Sequence, residues 1–261
     1  MQPAFFLSHG SPSILMGTSP AMTFLEGLAA ELKHAPRAII VSSAHHDTVM
    51  TSISSGRFPS TLHDFGGFPD ELYAMTYPAP GSPQLANDIA TCLTAAGIAN
   101  QLDGNKGFDH GCWTPLMLAW PKADIPVVQV SISSQASPEW HYDLGLALSD
   151  FRKDNVLVIG SGSMTHNLPA YFNGCHSENA PPLDWVSQFS SWIGNALACG
   201  DTDAVLHAIE SAPTGKINHP TMDHILPLFV AYGAGGIKTV ARQIHASTSF
   251  GVLSMDAWRF D

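Results

Sequence analysis

Residues 156–166 read VLVIGSGSMTH, an apolar run followed by small residues and a histidine. The apolar part is short and rich in β-branched residues, which predicts a buried strand. Residues 3–9 (PAFFLSH) and 38–45 (AIIVSSAH) have the same form. Ligands bind outside the carboxyl ends of the strands in an open α/β sheet, so the terminal histidines are predicted to converge on a metal site. These histidines are His9, His45 and His166.

Helical patterns separate the predicted strands. Residues 82–96 are typical of a helix, with Ser82 as N-cap and Pro83 at the first helical position. A helix over 221–232 would carry His224 in its first turn, and the chain would end in two strands, 238–246 and 251–255. Strands alternating with helices indicate an α/β fold with a mainly parallel central sheet flanked by helices. We expect one catalytic domain over residues 1–261, with the metal site at the strand C-terminal ends.

Composition excludes several classes of protein. The chain has 261 residues and 45% hydrophobic content, enough for one sizeable core. Its formal net charge is −11, which argues against a nucleic acid or an anionic membrane surface as partner. No apolar stretch approaches the roughly 20 residues of a membrane span, and the start Met1-Gln2-Pro3 lacks the basic region of a signal peptide.

Cysteine usage predicts a cytoplasmic protein. The four cysteines show no CxxC pairing, which indicates free thiols rather than a disulfide framework or a thiolate zinc site. They are Cys92, Cys112, Cys175 and Cys199.

Histidine is the predicted metal ligand because several histidines share a strand-end position, and the chain has 13 histidines in all. Imidazole suits zinc, iron, copper or nickel rather than calcium or magnesium. A lone histidine beside a core strand is more often a hydrogen-bonded structural residue, so their shared placement carries the argument. His46 follows His45, and neighbours on an extended segment diverge, so only one should face the site. The loop residues His63 and His219 could reach it. A surface position is expected for His34, His141, His176, His207 and His245.

His110 has two interpretations. It lies in Asp109-His110-Gly111-Cys112-Trp113, a turn before a helical pattern. A histidine near a metal that is not a ligand is a candidate acid or base. The alternative is a structural residue at a helix start, and spacing leaves both open.

The chain resembles the class III extradiol ring-cleaving dioxygenases, in the DOPA 4,5-dioxygenase-like branch. Each of the motifs that carry the resemblance is weak alone, but the ordered set is specific and spans nearly the whole chain. In order they are LSHGSP (7–12), SAH (43–45), DFGGFP (64–69), YPAPG (77–81), DHGCW (109–113), GSG (160–162) with HNL (166–168), and DHILPL (223–228).

The resemblance implies a single-domain α/β enzyme with a non-haem metal. By motif, His9, His45 and His224 match the metal ligands. His166 matches a residue counted either as a further ligand or as the acid or base beside the metal, and it is the expected base. His110 matches a histidine that contacts substrate or oxygen. Other branches of the class have a carboxylate where His224 stands, which leaves the metal open: Fe(II) is expected for activity and Zn(II) in purified protein.

The implied reaction inserts O₂ into a catechol-type, DOPA-like aromatic and opens the ring to a semialdehyde. The expected partners are therefore a small aromatic diol and O₂. The loop residues Phe65 and Phe68 are expected to wall the substrate ring, with plain core packing as the alternative.

Two other functions compete with ring cleavage. A zinc hydrolase could use the same imidazoles to activate water, but it would work without oxygen. A non-catalytic scaffold of the same fold would be expected to lose metal ligands, and all four motif histidines are present: His9, His45, His166 and His224.

Overall fold

Six strands form the central sheet of the computed structural model, which describes residues 1–174 and 177–261. The expectations for Cys175 and His176 lie outside the described residues. The strands are β1 (Ala4–Ser8), β2 (Ala38–Ser43), β3 (Thr51–Ser54), β4 (Asn100–Asp103), β5 (Val127–Gln129), β6 (Val156–Gly162), β7 (Ala241–His245), β8 (Thr248–Ser249), β9 (Leu253–Ser254) and β10 (Ala257–Phe260). The α-helices are α1 (Pro20–Gly27), α2 (Asp70–Ala74), α3 (Pro83–Ala95), α4 (His110–Ala119), α5 (Pro138–Leu148), α6 (Leu168–Gly174), α7 (Asp184–Cys199), α8 (Thr202–Leu206), α9 (Ala208–Ser211), α10 (Gly215–Asn218) and α11 (Leu226–Gly235).

The sheet has the strand order β5-β2-β6-β1-β10-β7. The strands β5, β2, β6 and β1 are parallel, and β10 runs antiparallel to both of its neighbours. The predicted α/β fold with a mainly parallel sheet is therefore confirmed. The register pairs Ser8 with Gly162 and Ser43 with Ser161. The carboxyl ends of β1, β2 and β6 consequently meet at one edge.

Helices cover both faces of the sheet. Phe6 belongs to the core on one face, which includes side chains of α5 and α11 such as Leu144 and Phe229. Its neighbour Phe5 belongs to the core on the other face, which includes Trp113 of α4. Neighbours on a strand point to opposite faces, and a sheet buried on both faces has continuous apolar strands, which is why the apolar runs do not alternate.

Serine residues cap the starts of α3 and α5. Ser82 accepts a hydrogen bond from the Leu85 amide at the start of α3, and Ser137 does the same for Trp140 at the start of α5. A proline follows each cap at the first helical position, where its missing N–H costs nothing. Among the helices that the structure describes, none has both the length and the apolar character to cross a bilayer.

Four expectations need correction. The apolar run 156–159 was expected to be the strand, but β6 also includes the small residues that follow it and ends at Gly162. α11 begins at Leu226, with Pro227 in its first turn, so His224 lies in the turn before the helix and not inside it. The last strand, β10, was not predicted. His141 is fully buried rather than at the surface, and its imidazole bonds to the backbone of Ser137, the N-cap of α5, and of Ser133 in the loop before the helix.

Candidate metal centre and active site

Three histidines converge at the carboxyl edge of the sheet. His9 follows β1 directly, His45 lies in the turn after β2, and His224 lies in the turn before α11. Each offers one nitrogen, and the three nitrogens lie within 4.8 Å of one another. The Nε2 atoms of His9 and His45 are 3.2 Å apart. His9 and His224 are buried, while the side chain of His45 is 22% exposed.

Hydrogen bonds to Nδ1 fix the ring orientation of two of these imidazoles, those of His9 and His224. Ser161 donates its single hydroxyl proton to the carbonyl of Gly111, so its Oγ accepts from the Nδ1–H of His9 at 3.0 Å. The Nδ1 of His224 likewise donates to the carboxylate of Asp223. In the neutral form of either residue, the Nδ1 atom therefore carries the proton and the Nε2 atom is the nitrogen that can bind a metal.

The donor set fits a metal ion. Two imidazole nitrogens bound to one ion at about 2.0–2.1 Å in a tetrahedral arrangement lie about 3.3–3.4 Å apart, close to the 3.2 Å between His9 and His45. Burial lowers the pKa of His9 well below its usual value, and burial together with His110 lowers that of His45 to about 3. These imidazoles are therefore neutral at pH 7, as ligation requires.

A glycine on β6 allows His224 to approach the sheet. A Cβ at Gly162 would lie 2.2 Å from the backbone oxygen of His224. Any side chain there would push the turn before α11 away from His9. The adjacent amide of Ser163 also donates to the His224 carbonyl at 2.9 Å. Gly162 and Ser163, at the end of β6, thus leave room for the backbone of the turn that carries His224.

His110 is the first residue of α4. The carboxylate of Asp109 caps this helix by accepting the Cys112 amide, and it is almost fully buried. Asp64 Oδ1 accepts the backbone N–H of His110 at 2.8 Å, and it lies 3.1 Å from His110 Nδ1 outside hydrogen-bond geometry. His110 is thereby held beside His45, with ring centroids 3.8 Å apart.

His166 lies beside the three histidines rather than among them. Its ring stacks on that of His224, with centroids 3.5 Å apart and planes at 8°. A nitrogen of His166 lies within 4.8 Å of ligand atoms of Asp223 and His224, but His166 is not part of the group formed with His9 and His45. Its role as a fourth ligand stays a prediction.

A cavity of about 470 Å³ opens over these five histidines. Phe65 and Phe68 line it, half-buried and packed edge to face with centroids 5.3 Å apart. Both interpretations of Phe65 have support, because it also contacts the core below the site. Contact of the two rings with substrate stays a prediction.

Other histidines stay outside the cluster. His46 is buried but belongs to none of the groups of convergent ligand atoms in the described chain. It diverges from His45 because residues 44–45 form a turn, not the extended pleat that was expected. The Nε2 of His63 bonds to the Met75 carbonyl, and that of His219 to the Met164 carbonyl.

Three residues that contact the histidines received no role from the sequence. They are Asp64, Ser161 and Asp223. Asp64 and Asp223 lie within motifs that were noticed, and Asp223 directly precedes His224. A carboxylate beside a ligating histidine commonly orients it, so that adjacency was a usable signal. Nothing in the sequence indicates that Ser161 faces His9, since this contact spans two strands.

Comparison with known proteins identifies the family. Residues 3–255 match the family described as the catalytic LigB subunit of aromatic ring-opening dioxygenase. The chain is 40% identical to a 4,5-DOPA dioxygenase extradiol of Beta vulgaris over 98% of its own length and 95% of the relative's. The chain belongs to this family. A relative with the same description from Portulaca grandiflora is 38% identical, again over 98% and 95% of the two lengths.

A solved structure has the same fold. The crystal structure of an uncharacterized protein from Escherichia coli K12 superposes with a TM-score of 0.82 at 31% identity, covering 100% of both chains. The family and the fold together make the chain an extradiol aromatic ring-opening dioxygenase, in agreement with the resemblance found in the sequence.

Proposed function

We propose that the chain opens the ring of a catechol beside its two hydroxyls, using O₂ and a metal held by His9, His45 and His224. The observation that carries this proposal is the convergence of the three histidine nitrogens within 4.8 Å at the carboxyl edge of the sheet. Ser161 and Asp223 support it by directing the unprotonated Nε2 atoms of two of them inward. Residues 1–261 are proposed to act as one catalytic domain.

The metal is proposed to be Fe(II) in the working enzyme. When bound, the ion would hold the diol and O₂ at adjacent positions, lower the pKa of the hydroxyls and supply the redox chemistry of oxygen insertion. Nitrogen ligands alone suit iron and zinc alike. We therefore expect zinc in protein purified without added iron.

Two histidines are proposed to move protons. His166 lines the cavity, and burial lowers its pKa to about 3. That pKa makes His166 neutral at pH 7 but a weak base, so its proposed acceptance of a proton from a catechol hydroxyl depends on the lowering of the hydroxyl's own pKa by the ion. His110, whose backbone N–H is bound by Asp64, is proposed to donate a hydrogen bond or a proton to oxygen on the other side of the cluster. General acid–base groups of this kind increase the reaction rate by about 10²–10⁴-fold.

The substrate ring is proposed to lie against Phe65 and Phe68. Their edge-to-face pair offers an aromatic surface to a planar ring. Because relatives are named for 4,5-DOPA, DOPA is the first catechol to test. The cytoplasmic location expected from the cysteines stays a prediction.

The test is anaerobic reconstitution with Fe(II), followed by addition of a catechol and O₂. We expect oxygen uptake together with a yellow semialdehyde, and neither with zinc-loaded protein. Reaction of the zinc form without oxygen would instead indicate a hydrolase. No reaction with any catechol by iron-loaded protein would contradict the proposal and favour a non-catalytic scaffold.

A further inference from the structure

A second group of ligand atoms lies beside the three convergent histidines. His45, Asp64 and His110 each offer one atom, and these atoms lie within 4.8 Å of one another. His45 turns its Nε2 towards the Nε2 of His9, 3.2 Å away, while its Nδ1 lies 3.6 Å from Asp64 Oδ2. The two nitrogens of one imidazole therefore face two different groups of ligand atoms.

The Nδ1 atom of His110 is buried without a hydrogen-bond partner in the part of the chain that the structure describes. His110 is only 7% exposed, so water does not compensate for the missing bond. The nearest carboxylate oxygen, Asp64 Oδ1, is 3.1 Å away. A buried polar atom without a partner is costly, and a cation bound between His110 and Asp64 would satisfy it.

The spacing of these atoms suits a metal ion. Nitrogen and oxygen ligands at about 2.0–2.2 Å from one zinc ion, in a tetrahedral arrangement, lie about 3.3–3.6 Å apart. The measured separations of Asp64 oxygens from the Nδ1 atoms of His110 and His45 are 3.1 Å and 3.6 Å. Asp64 Oδ1 also accepts the His110 amide, but a carboxylate has about four lone-pair sites and can do both. Two imidazoles with one carboxylate form a donor set that suits zinc.

A third group, made of His166, Asp223 and His224, has similar spacing but a different state. There the Nδ1 of His224 already donates a hydrogen bond to Asp223. The Nδ1 of His110 makes no such bond among the described residues. The group around His110 is therefore the better suited to a further ion.

Cations can approach the second group from solvent. The side chains of His45 and Asp64 are 22% and 29% exposed, and the net charge of −11 raises the local concentration of cations. When the Nε2 of His45 already binds an ion, a second ion displaces the Nδ1 proton to solvent. This proton loss makes the second site the weaker of the two.

We propose that His45, Asp64 and His110 form a second, weaker site for a zinc ion. An ion on Nδ1 leaves the His110 ring with one proton at most, so it cannot form the doubly protonated imidazolium that acts as an acid. Resting on the ring-cleavage function proposed above, excess zinc at this site therefore inhibits turnover while iron stays at the first site.

Titration of the metal-free full chain with zinc tests binding without turnover. Calorimetry and native mass spectrometry are expected to show two ions per chain, the second bound at least about tenfold more weakly than the first. Asp64→Asn keeps an oxygen that can accept the His110 amide but lacks the ligating carboxylate, so it should bind one ion. His110→Ala should also bind one.

Asp70→Asn is the matched control for this titration. It removes one exposed carboxylate at the start of the nearby helix α2, outside all three groups of ligand atoms, and it should still bind two ions. A single ion in wild type, or a second ion that persists in Asp64→Asn and His110→Ala, would overturn the proposal.

Zinc added to iron-loaded protein tests the consequence for turnover. Cleavage of a catechol is expected to slow about tenfold or more as the weaker site fills, with iron content unchanged. Asp70→Asn should be inhibited in the same way, whereas the turnover that Asp64→Asn retains should not respond to the same zinc concentration. Inhibition that requires loss of iron, or equal fractional inhibition of Asp64→Asn, would contradict the inhibitory role.

The two experiments separate this site from the proposed function. If wild type cleaves no catechol but binds two zinc ions as described, the ring-cleavage function fails and the second site stands. If cleavage occurs and only one zinc ion binds, the second site fails and the function stands.

Discussion

The carboxyl edge of the sheet and the start of α5 both bury histidines, yet only one of these regions is suited to a metal. Burial lowers the pKa of His45 at the sheet edge to about 3 and that of His141 at α5 to about 4. At α5 both ring nitrogens are satisfied: Nδ1 bonds to the Ser137 carbonyl at 2.8 Å, and Nε2 accepts the Ser133 amide at 3.1 Å. At the sheet edge the Nε2 atoms of His9 and His45 face each other instead.

The difference teaches that neither burial nor a lowered pKa identifies a metal ligand. Both follow from removing an imidazole from water. What separates the regions is the direction of the unprotonated nitrogen, which at α5 is used by the backbone and at the sheet edge is left for a cation. The variants below test this distinction, beginning with the largest expected effect.

Removal of a ligand should abolish metal binding and activity together. His45→Ala is expected to lose its metal, and its rate should fall more than 10²-fold. Changes to residues that only hydrogen-bond to metal ligands already reduce metal affinity or activity by about 10–100-fold. The matched control is His46→Ala, at the adjacent buried position, which should keep metal content near wild type. Mass spectrometry measures the metal content of the two variants, and oxygen uptake measures their rates. The opposite pattern would show that the other histidine of the pair is the ligand.

Loss of a proton-transfer residue should reduce rate more than metal content. His166→Ala and His110→Ala are each expected to lose about 10²–10⁴-fold in turnover when loaded with iron, with the larger loss for His166. His110→Ala should keep its metal. Normal turnover by iron-loaded His110→Ala would return that residue to a structural role at the start of α4.

Weakening the orientation of His224 should reduce metal affinity by a smaller factor. Asp223→Asn replaces the carboxylate that accepts the His224 Nδ1 proton, and about 10–100-fold weaker metal binding is expected. Asp203→Asn is the control, since Asp203 also pairs with a histidine, His207, but at the surface. Competition with a chelator measures the metal affinity of each variant. Equal affinity in the two variants would remove Asp223 from the site.

His141 should affect stability alone. His141→Ala leaves the Ser133 amide without its acceptor, which is expected to cost about 1–3 kcal/mol of unfolding free energy. Metal content and kcat should match wild type. Urea unfolding measures the free energy of unfolding, and a metal assay on the same variant measures its metal content. Loss of metal from a well-folded variant would contradict the distinction between the sheet edge and the start of α5.

The stability that His141 contributes should depend on pH. The folded pKa of His141 is lowered, mainly by burial, to about 4 from an unfolded value of 6.5. The stability that neutral His141 contributes above pH 6.5 is therefore lost as pH falls to about 4, and the full change is about 3 kcal/mol. The difference in unfolding free energy between wild type and His141→Ala should shrink over that range. A constant difference would contradict a neutral buried imidazole.

Local sequence patterns were sufficient for much of the fold. The apolar runs before His9 and His45 and the serine caps at Ser82 and Ser137 depend on neighbouring residues only, and the structure places strands and helices there. The strand β10 was missed because it is a short antiparallel strand whose place beside β1 is set by long-range pairing.

Part of the site could be predicted for the same reason. Parallel strands bring their carboxyl ends to one edge of a sheet, so the approach of His9 to His45 could be expected from their positions after two apolar runs, although β6 lies between β1 and β2 in the sheet. The approach of His224 depends on Gly162 and on where α11 begins. The contact of Ser161 with His9 crosses from β6 to β1. Neither has a local signature.

The most direct test is a crystal structure of Fe(II)-loaded protein, with the ion located by anomalous scattering at the iron edge. We predict one ion per chain bound by the Nε2 atoms of His9, His45 and His224, with zinc-loaded crystals showing the same ligands at about 2.0–2.1 Å. An ion bound elsewhere, or these three imidazoles turned away from it, would contradict the assignment of the metal centre.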